Sequence, residues 1–177
     1  RDLHSFPTRR SSDLTNVPNT LSIEEIEAKN PTGIILGGGP SIEGAGNSEK
    51  YIMHFDIPIL GICLGHQLIA KTYGGEVSTS ETESYAQVKI NINNDENLFK
   101  SLAPKMTVWS SHKDEVKTMP KEFTILSSSN LCDVESFKHK DKDVYGIQFH
   151  PEVHHTPKGS VIFENFYNIC KERCNND

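Results

Sequence analysis

At 177 residues, 35% of them hydrophobic, the chain suits a single domain with a buried core, and its net charge of −6 excludes the basic surface that binds nucleic acid. No apolar run approaches the roughly 20 residues of a membrane span, and no signal-peptide core follows the N-terminus, so a cytoplasmic location is expected. The four cysteines Cys63, Cys132, Cys170 and Cys174 form no C-x-x-C pair and are too few for a disulfide framework, which leaves reduced thiols as the expectation.

Residues 1–14 show neither helical nor strand periodicity and read as a disordered tail, with the run from Ser5 to Leu14 resembling a translated adapter rather than native sequence. From residue 15 to 177 the chain is expected to form one domain. Ser22-Ile23-Glu24-Glu25 is a capping-box pattern that opens a helix ending before Asn30-Pro31. The apolar run Gly33–Leu36 reads as a strand and leads straight into Gly37-Gly38-Gly39-Pro40. These glycines lack the G-K-[ST] of a phosphate loop, and a loop of exposed N–H groups equally suits an oxyanion.

Ser48–Phe55 is a predicted helix, Pro58–Ile62 a buried strand, and Leu64 to about Tyr73 a helix stopped by Gly74-Gly75. Helix, strand, helix, strand, helix implies parallel strands joined by helical crossovers. Beyond residue 75 the runs 87–92, 106–109, 123–129, 133–138 and 144–149 are separated only by turns or polar loops, so several should pair antiparallel. A last helix is predicted over Val161 to about Lys171, with Ile162, Phe163, Phe166 and Ile169 on one face.

The centre of this pattern is Cys63. It sits at a strand-to-helix corner flanked by Gly61 and Gly65, a G-x-C-x-G arrangement equivalent to a serine nucleophile elbow. So sharp a corner forces unusual dihedrals on the central residue and leaves no room for side chains beside it. The helix that starts there favours a thiolate. A buried structural cysteine is the competing reading. Catalysis needs a base, and the strand 144–149 ends in His150-Pro151-Glu152. Residues two apart in extended chain point the same way, so Glu152 can orient the His150 imidazole while its other nitrogen faces a thiol. On their own His150 and Glu152 would read as an ordinary surface pair, and with His154 and His155 as a metal cluster, although the spacing fits no zinc signature. Cys170 and Cys174, four apart on a helix, read as incidental thiols. By composition, Ser110–Glu115 is a solvated polar loop.

Taken together, Gly61-Ile62-Cys63-Leu64-Gly65-His66-Gln67, Gly37–Pro40 and Gly146-Ile147-Gln148-Phe149-His150-Pro151-Glu152-Val153 resemble the motifs of the class I glutamine amidotransferases. The resemblance spans roughly residues 15–172. Within the family, Val17–Thr20, Ser111–Val116 and His150–Thr156 point towards the glutaminase subunits of two-subunit GMP synthases rather than the anthranilate or carbamoyl-phosphate members. It implies an α/β fold, an open mixed and mostly parallel sheet flanked by helices in three flavodoxin-like layers. It also implies a first strand, ending in an aspartate-glycine-glutamine-like motif, and a following helix; residues 1–14 supply neither, so both are expected to be missing.

The implied reaction is hydrolysis of glutamine through a Cys63 thioester, with His150 and Glu152 completing the triad and the backbone N–H groups of Gly39 and Leu64 holding the oxyanion. By the same analogy Gln67, Ser111 and His112 would bind substrate and Asp114 would couple to the partner. No metal or cofactor is expected in this chain. The expected partner is an ATP-pyrophosphatase subunit that carries ATP and Mg2+ and aminates XMP. The alternatives are an amidotransferase subunit serving anthranilate or aminodeoxychorismate synthesis, and a docking subunit without catalysis. One departure is Gly37, which stands where serine is common.

Overall fold

The computed structural model describes residues 14–39 and 41–176. The expected tail, apart from Leu14, and Pro40 of the glycine loop lie outside the described residues. Four helices, α1 (Ile23–Glu27), α2 (Ser48–His54), α3 (Leu64–Thr72) and α4 (Gly159–Asn176), accompany seven strands. The strands are β1 (Ile34–Leu36), β2 (Ile59–Ile62), β3 (Glu76–Ile92), β4 (Lys105–Thr118), β5 (Phe123–Ser128), β6 (Ser136–His139) and β7 (Val144–Ile147). They form one sheet in the order β1-β2-β7-β6-β5-β3-β4.

The α1 start is set by the capping box: the Ser22 side chain accepts from Glu25 N–H, and the Glu25 carboxylate accepts from Ser22 N–H. Pairing is parallel for β1 with β2 and for β2 with β7, as the helical crossovers require, and antiparallel for the remaining pairs. The sheet is mixed as expected, but the parallel share is smaller than expected. The reason is a long hairpin: β3 and β4 run for 17 and 14 residues, where only their apolar inner ends read as strand in the sequence. Backbone pairing across the hairpin carries polar residues that could not have been assigned to strands by burial.

The two faces of the sheet are covered differently. Leu60, Ile62, Tyr145 and Ile147 pack with Ile162, Phe166 and Cys170 of α4, while Ile59 and Val144 pack with Leu68, Ile69 and Ala70 of α3 and with Tyr51 and Ile52 of α2. Alternation along β2 and β7 therefore sends odd and even residues to opposite helical layers. All four residues of β2 are buried, as in a strand covered on both sides. The sheet also curls. Three strands separate β7 from β4 in the sheet order, yet an antiparallel bridge joins Trp109 of β4 to His150 just past β7. No helix among the described residues is long and apolar enough to cross a membrane.

Candidate active site

Cys63 follows β2 directly and is the N-cap of α3, with φ 54° and ψ −102°, a left-handed conformation that a side chain adopts only under constraint. The constraint comes from both sides. Cys63 N–H donates to the Ile147 carbonyl of β7 at 2.8 Å, and its own carbonyl accepts from Gln67 N–H at 3.1 Å, which closes the first turn of α3. Glycine is required beside it: a Cβ on Gly61 would lie 2.5 Å from the Gly65 backbone, and one on Gly65 would collide with the Leu36 carbonyl. Strand and helix are thus packed backbone to backbone, and the corner cannot relax.

His150 is held as firmly. Its N–H donates to the Trp109 carbonyl at 3.0 Å, and its carbonyl accepts from the Thr156 hydroxyl at 2.6 Å; Thr156 Oγ1 in turn accepts from Trp109 N–H at 2.9 Å. One hydroxyl ties β4 to the segment after β7. His150 Nδ1 donates to Glu152 Oε1 at 2.6 Å. Burial works against a charged His150 ring, but its hydrogen bonds to Cys63 and Glu152 and the negative charge of both outweigh that cost and push its pKa up to about 10. A thiol, an imidazole and a carboxylate stand in series. Such an arrangement transfers a proton from sulfur to ring and keeps the resulting charge pair stable.

The glycine loop lies against this series. A Cβ on Gly38 would sit 3.5 Å from His150 Cε1 and 3.8 Å from Cys63 Cβ, and one on Gly39 would sit 3.0 Å from Leu64 Cδ2. The bare backbone of 38–39 therefore faces the same space as the first residue of α3. This is the neighbourhood in which two backbone donors can serve one oxyanion.

The segment 110–115 is not the solvated loop expected. It is the middle of β4, with Ser110, His112 and Glu115 buried, because antiparallel pairing with β3 satisfies its backbone and sheet curvature turns it over Cys63. The Ser111 carbonyl accepts from Cys63 Sγ at 3.8 Å. His112 Nδ1 donates to the Asp114 carbonyl at 2.9 Å, while burial, reinforced by the charge of His150, holds this ring below the ordinary histidine range. Gln67 is only 4% exposed, and its Nε2 donates to the Asp114 carbonyl at 2.9 Å and to Gln148 Oε1 at 3.1 Å. The Asp114 carboxylate points elsewhere, accepting from Thr79 Oγ1 at 3.1 Å. Cys63, His150, Glu152, Gly39, Leu64, Gln67, Ser111 and His112 are thus brought together.

Sequence reasoning passed over Gln148, Thr156 and Trp109. Gln148 lay inside a quoted motif, but only its full burial distinguishes it; Thr156 and Trp109 act through backbone contacts that no pattern reveals. His154 and His155 stack on one another and on Trp109 instead of converging on a metal, and no group of three or more His, Cys, Asp or Glu among the described residues could hold one.

The profile of the glutamine amidotransferase class-I family matches residues 4–170. The chain belongs to the class I glutamine amidotransferases. Similar members of this family include the amidotransferase-class subunit of the glutamine-hydrolysing GMP synthase of Methanobrevibacter smithii, 83% identical over 91% of this chain and 85% of that one. Its counterpart from Methanothermobacter thermautotrophicus is 60% identical over 88% of this chain and 83% of its own. A crystal structure from Thermoplasma acidophilum superposes with a TM-score of 0.84 at 38% identity, covering 90% of this chain and 81% of that chain. A glutamine amidotransferase structure from Thermotoga maritima, at 22% identity and TM-score 0.64 over 88% and 67%, shares the fold.

Proposed function

We propose that this amidotransferase is the glutaminase subunit of GMP synthase, releasing ammonia from glutamine for the amination of XMP to GMP on an ATP-pyrophosphatase partner that carries ATP and Mg2+. The observation that carries the reaction is the series Cys63, His150, Glu152, with its 2.6 Å His150–Glu152 contact and the strained corner that aims the sulfur. The pathway rests on the similarity to the GMP synthase subunits of the two methanogens.

In this reading the Cys63 thiolate attacks the side-chain amide carbon of glutamine. The carbonyl oxygen becomes an oxyanion held by the N–H groups of Gly39 and Leu64. When the carbon–nitrogen bond breaks, the His150 imidazolium gives its proton to the departing nitrogen and ammonia leaves. His150, now neutral, takes a proton from water as that water attacks the thioester. A second oxyanion collapses, the thiolate departs, and glutamate is released. Glu152 holds the ring in one tautomer throughout, and a missing oxyanion donor typically costs about 3–4 kcal/mol in such reactions.

The test is glutamate release from glutamine, measured with and without the synthetase subunit of a related organism. Cys63→Ala should abolish it, by at least about 10³-fold, without lowering Tm. Hydrolysis that survives this substitution overturns the mechanism.

A further inference from the structure

Gln148 has no surface exposure, and the reaction as written does not use it. Its Nε2 lies 3.6 Å from Cys63 Sγ, within the range of an N–H donating to sulfur. A glutamine amide can be turned end for end, so the direction of this contact has to come from the network. Here the network starts from an atom that can only accept. The Asp114 carbonyl takes a hydrogen bond from Gln67 at 2.9 Å, which fixes nitrogen on that side of Gln67. The same nitrogen reaches Gln148 at 3.1 Å, so Gln148 must present oxygen there. Its NH₂ group is left facing the sulfur. The polarity of one β4 peptide group is handed through two buried amides to the nucleophile.

We propose that Gln148 is a positioning residue for Cys63, an amide donor that holds the sulfur at its corner and favours the thiolate, oriented for that task by Gln67 and the Asp114 carbonyl. The Ser111 carbonyl, on the same strand, does the opposite. At 3.8 Å it can accept an S–H and offers a thiolate only repulsion. The sulfur therefore stands between a donor that favours the ionised form and an acceptor that favours the neutral one, and β4 sets both. The titratable groups around it are His150 with Glu152 behind it, His112 on β4 and His66 on α3. Burial keeps His112 and His66 below the ordinary histidine range, so only His150 brings a positive charge.

This inference rests on Cys63 being the nucleophile, and its test reads the sulfur itself. Alkylation of Cys63 by iodoacetamide is followed by mass spectrometry from pH 5 to 10 in the wild-type chain and in Gln148→Glu, which keeps the shape and the acceptor for Gln67 but replaces the donor with an acceptor. The alkylation curve of the variant should move to higher pH by about one unit or more, with the rate at pH 7 falling about tenfold. Its kcat should fall at pH 7 and recover in part at higher pH, with KM for glutamine unchanged. Gln67→Met should move the curve the same way but less, because Gln148 then loses its orienting partner. If Gln148→Glu does not fold, Gln148→Met supplies the same reading. A curve that overlays the wild type, or a rise in KM with an unmoved curve, overturns the inference. Glutamine hydrolysis persisting in Cys63→Ala would instead overturn the assignment of the nucleophile.

Discussion

The parallel strands β1, β2 and β7 and the antiparallel hairpin β3–β4 contribute to the same site in different ways. The parallel strands hold the reacting groups by steric necessity: Gly61, Gly65 and the Leu36 carbonyl leave the Cys63 corner one geometry. The hairpin holds nothing that reacts. It lays backbone carbonyls, from Trp109, Ser111 and Asp114, against side chains rooted in the other half. Chemistry is concentrated where packing is tightest, and its adjustment comes from a strand whose outer part is largely exposed, so the two can be perturbed separately.

The sharpest break of that comparison is on the reacting side. Glu152→Gln keeps the shape of the side chain but removes the charge that fixes the His150 tautomer, and it should lower kcat for glutamine hydrolysis by about 10²- to 10⁴-fold with Tm nearly unchanged. A loss of tenfold or less would demote Glu152 to an ordinary surface partner. Next is the scaffold. Gly65→Ala drives a methyl into the Leu36 backbone, and destabilisation by about 2–4 kcal/mol is expected in urea unfolding.

A smaller effect tests the layer between the two halves. Glu135, just before β6, is 1% exposed and accepts from Ser129 Oγ at 2.8 Å. Burial, and to a lesser degree the charge of Glu115, pushes its pKa from 4.5 to about 7. Between those pH values the folded chain keeps a proton that the unfolded chain has released, so stability falls as pH rises through that window. Glu135→Gln should therefore be nearly neutral at pH 4.5 and stabilising at pH 8, by on the order of 1–3 kcal/mol, as read from Tm against pH. Equal effects at both pH values would sink this account. The smallest effect belongs to the hairpin's outer part, where Lys113 and Glu83 pair at 3.3 Å in solvent. Glu83→Ala should change stability by less than about 0.5 kcal/mol and leave the basal glutaminase rate unchanged.

The corner and the strand-end pair were legible in the sequence because both depend on residues close together in the chain. Glycines two positions either side of a cysteine, and a histidine and a glutamate two apart around a proline, carry their geometry in their spacing. The hairpin was not legible. Ser110, His112 and Glu115 look solvated by composition, and only pairing with β3 together with the Trp109–His150 bridge buries them. Gln148 was visible as a letter in a motif, but its orientation depends on the carbonyl of Asp114, 34 positions away.

What the sequence determined by itself is local: a cysteine forced into a left-handed corner, an imidazole with a carboxylate beside it, helical crossovers that make β1, β2 and β7 parallel. What only the tertiary structure decided is which distant backbone groups meet the sulfur. Steric rules act over a few residues and are written in residue type, whereas carbonyls are common to every residue and acquire a role only when the curl of the sheet brings a particular one within hydrogen-bond reach.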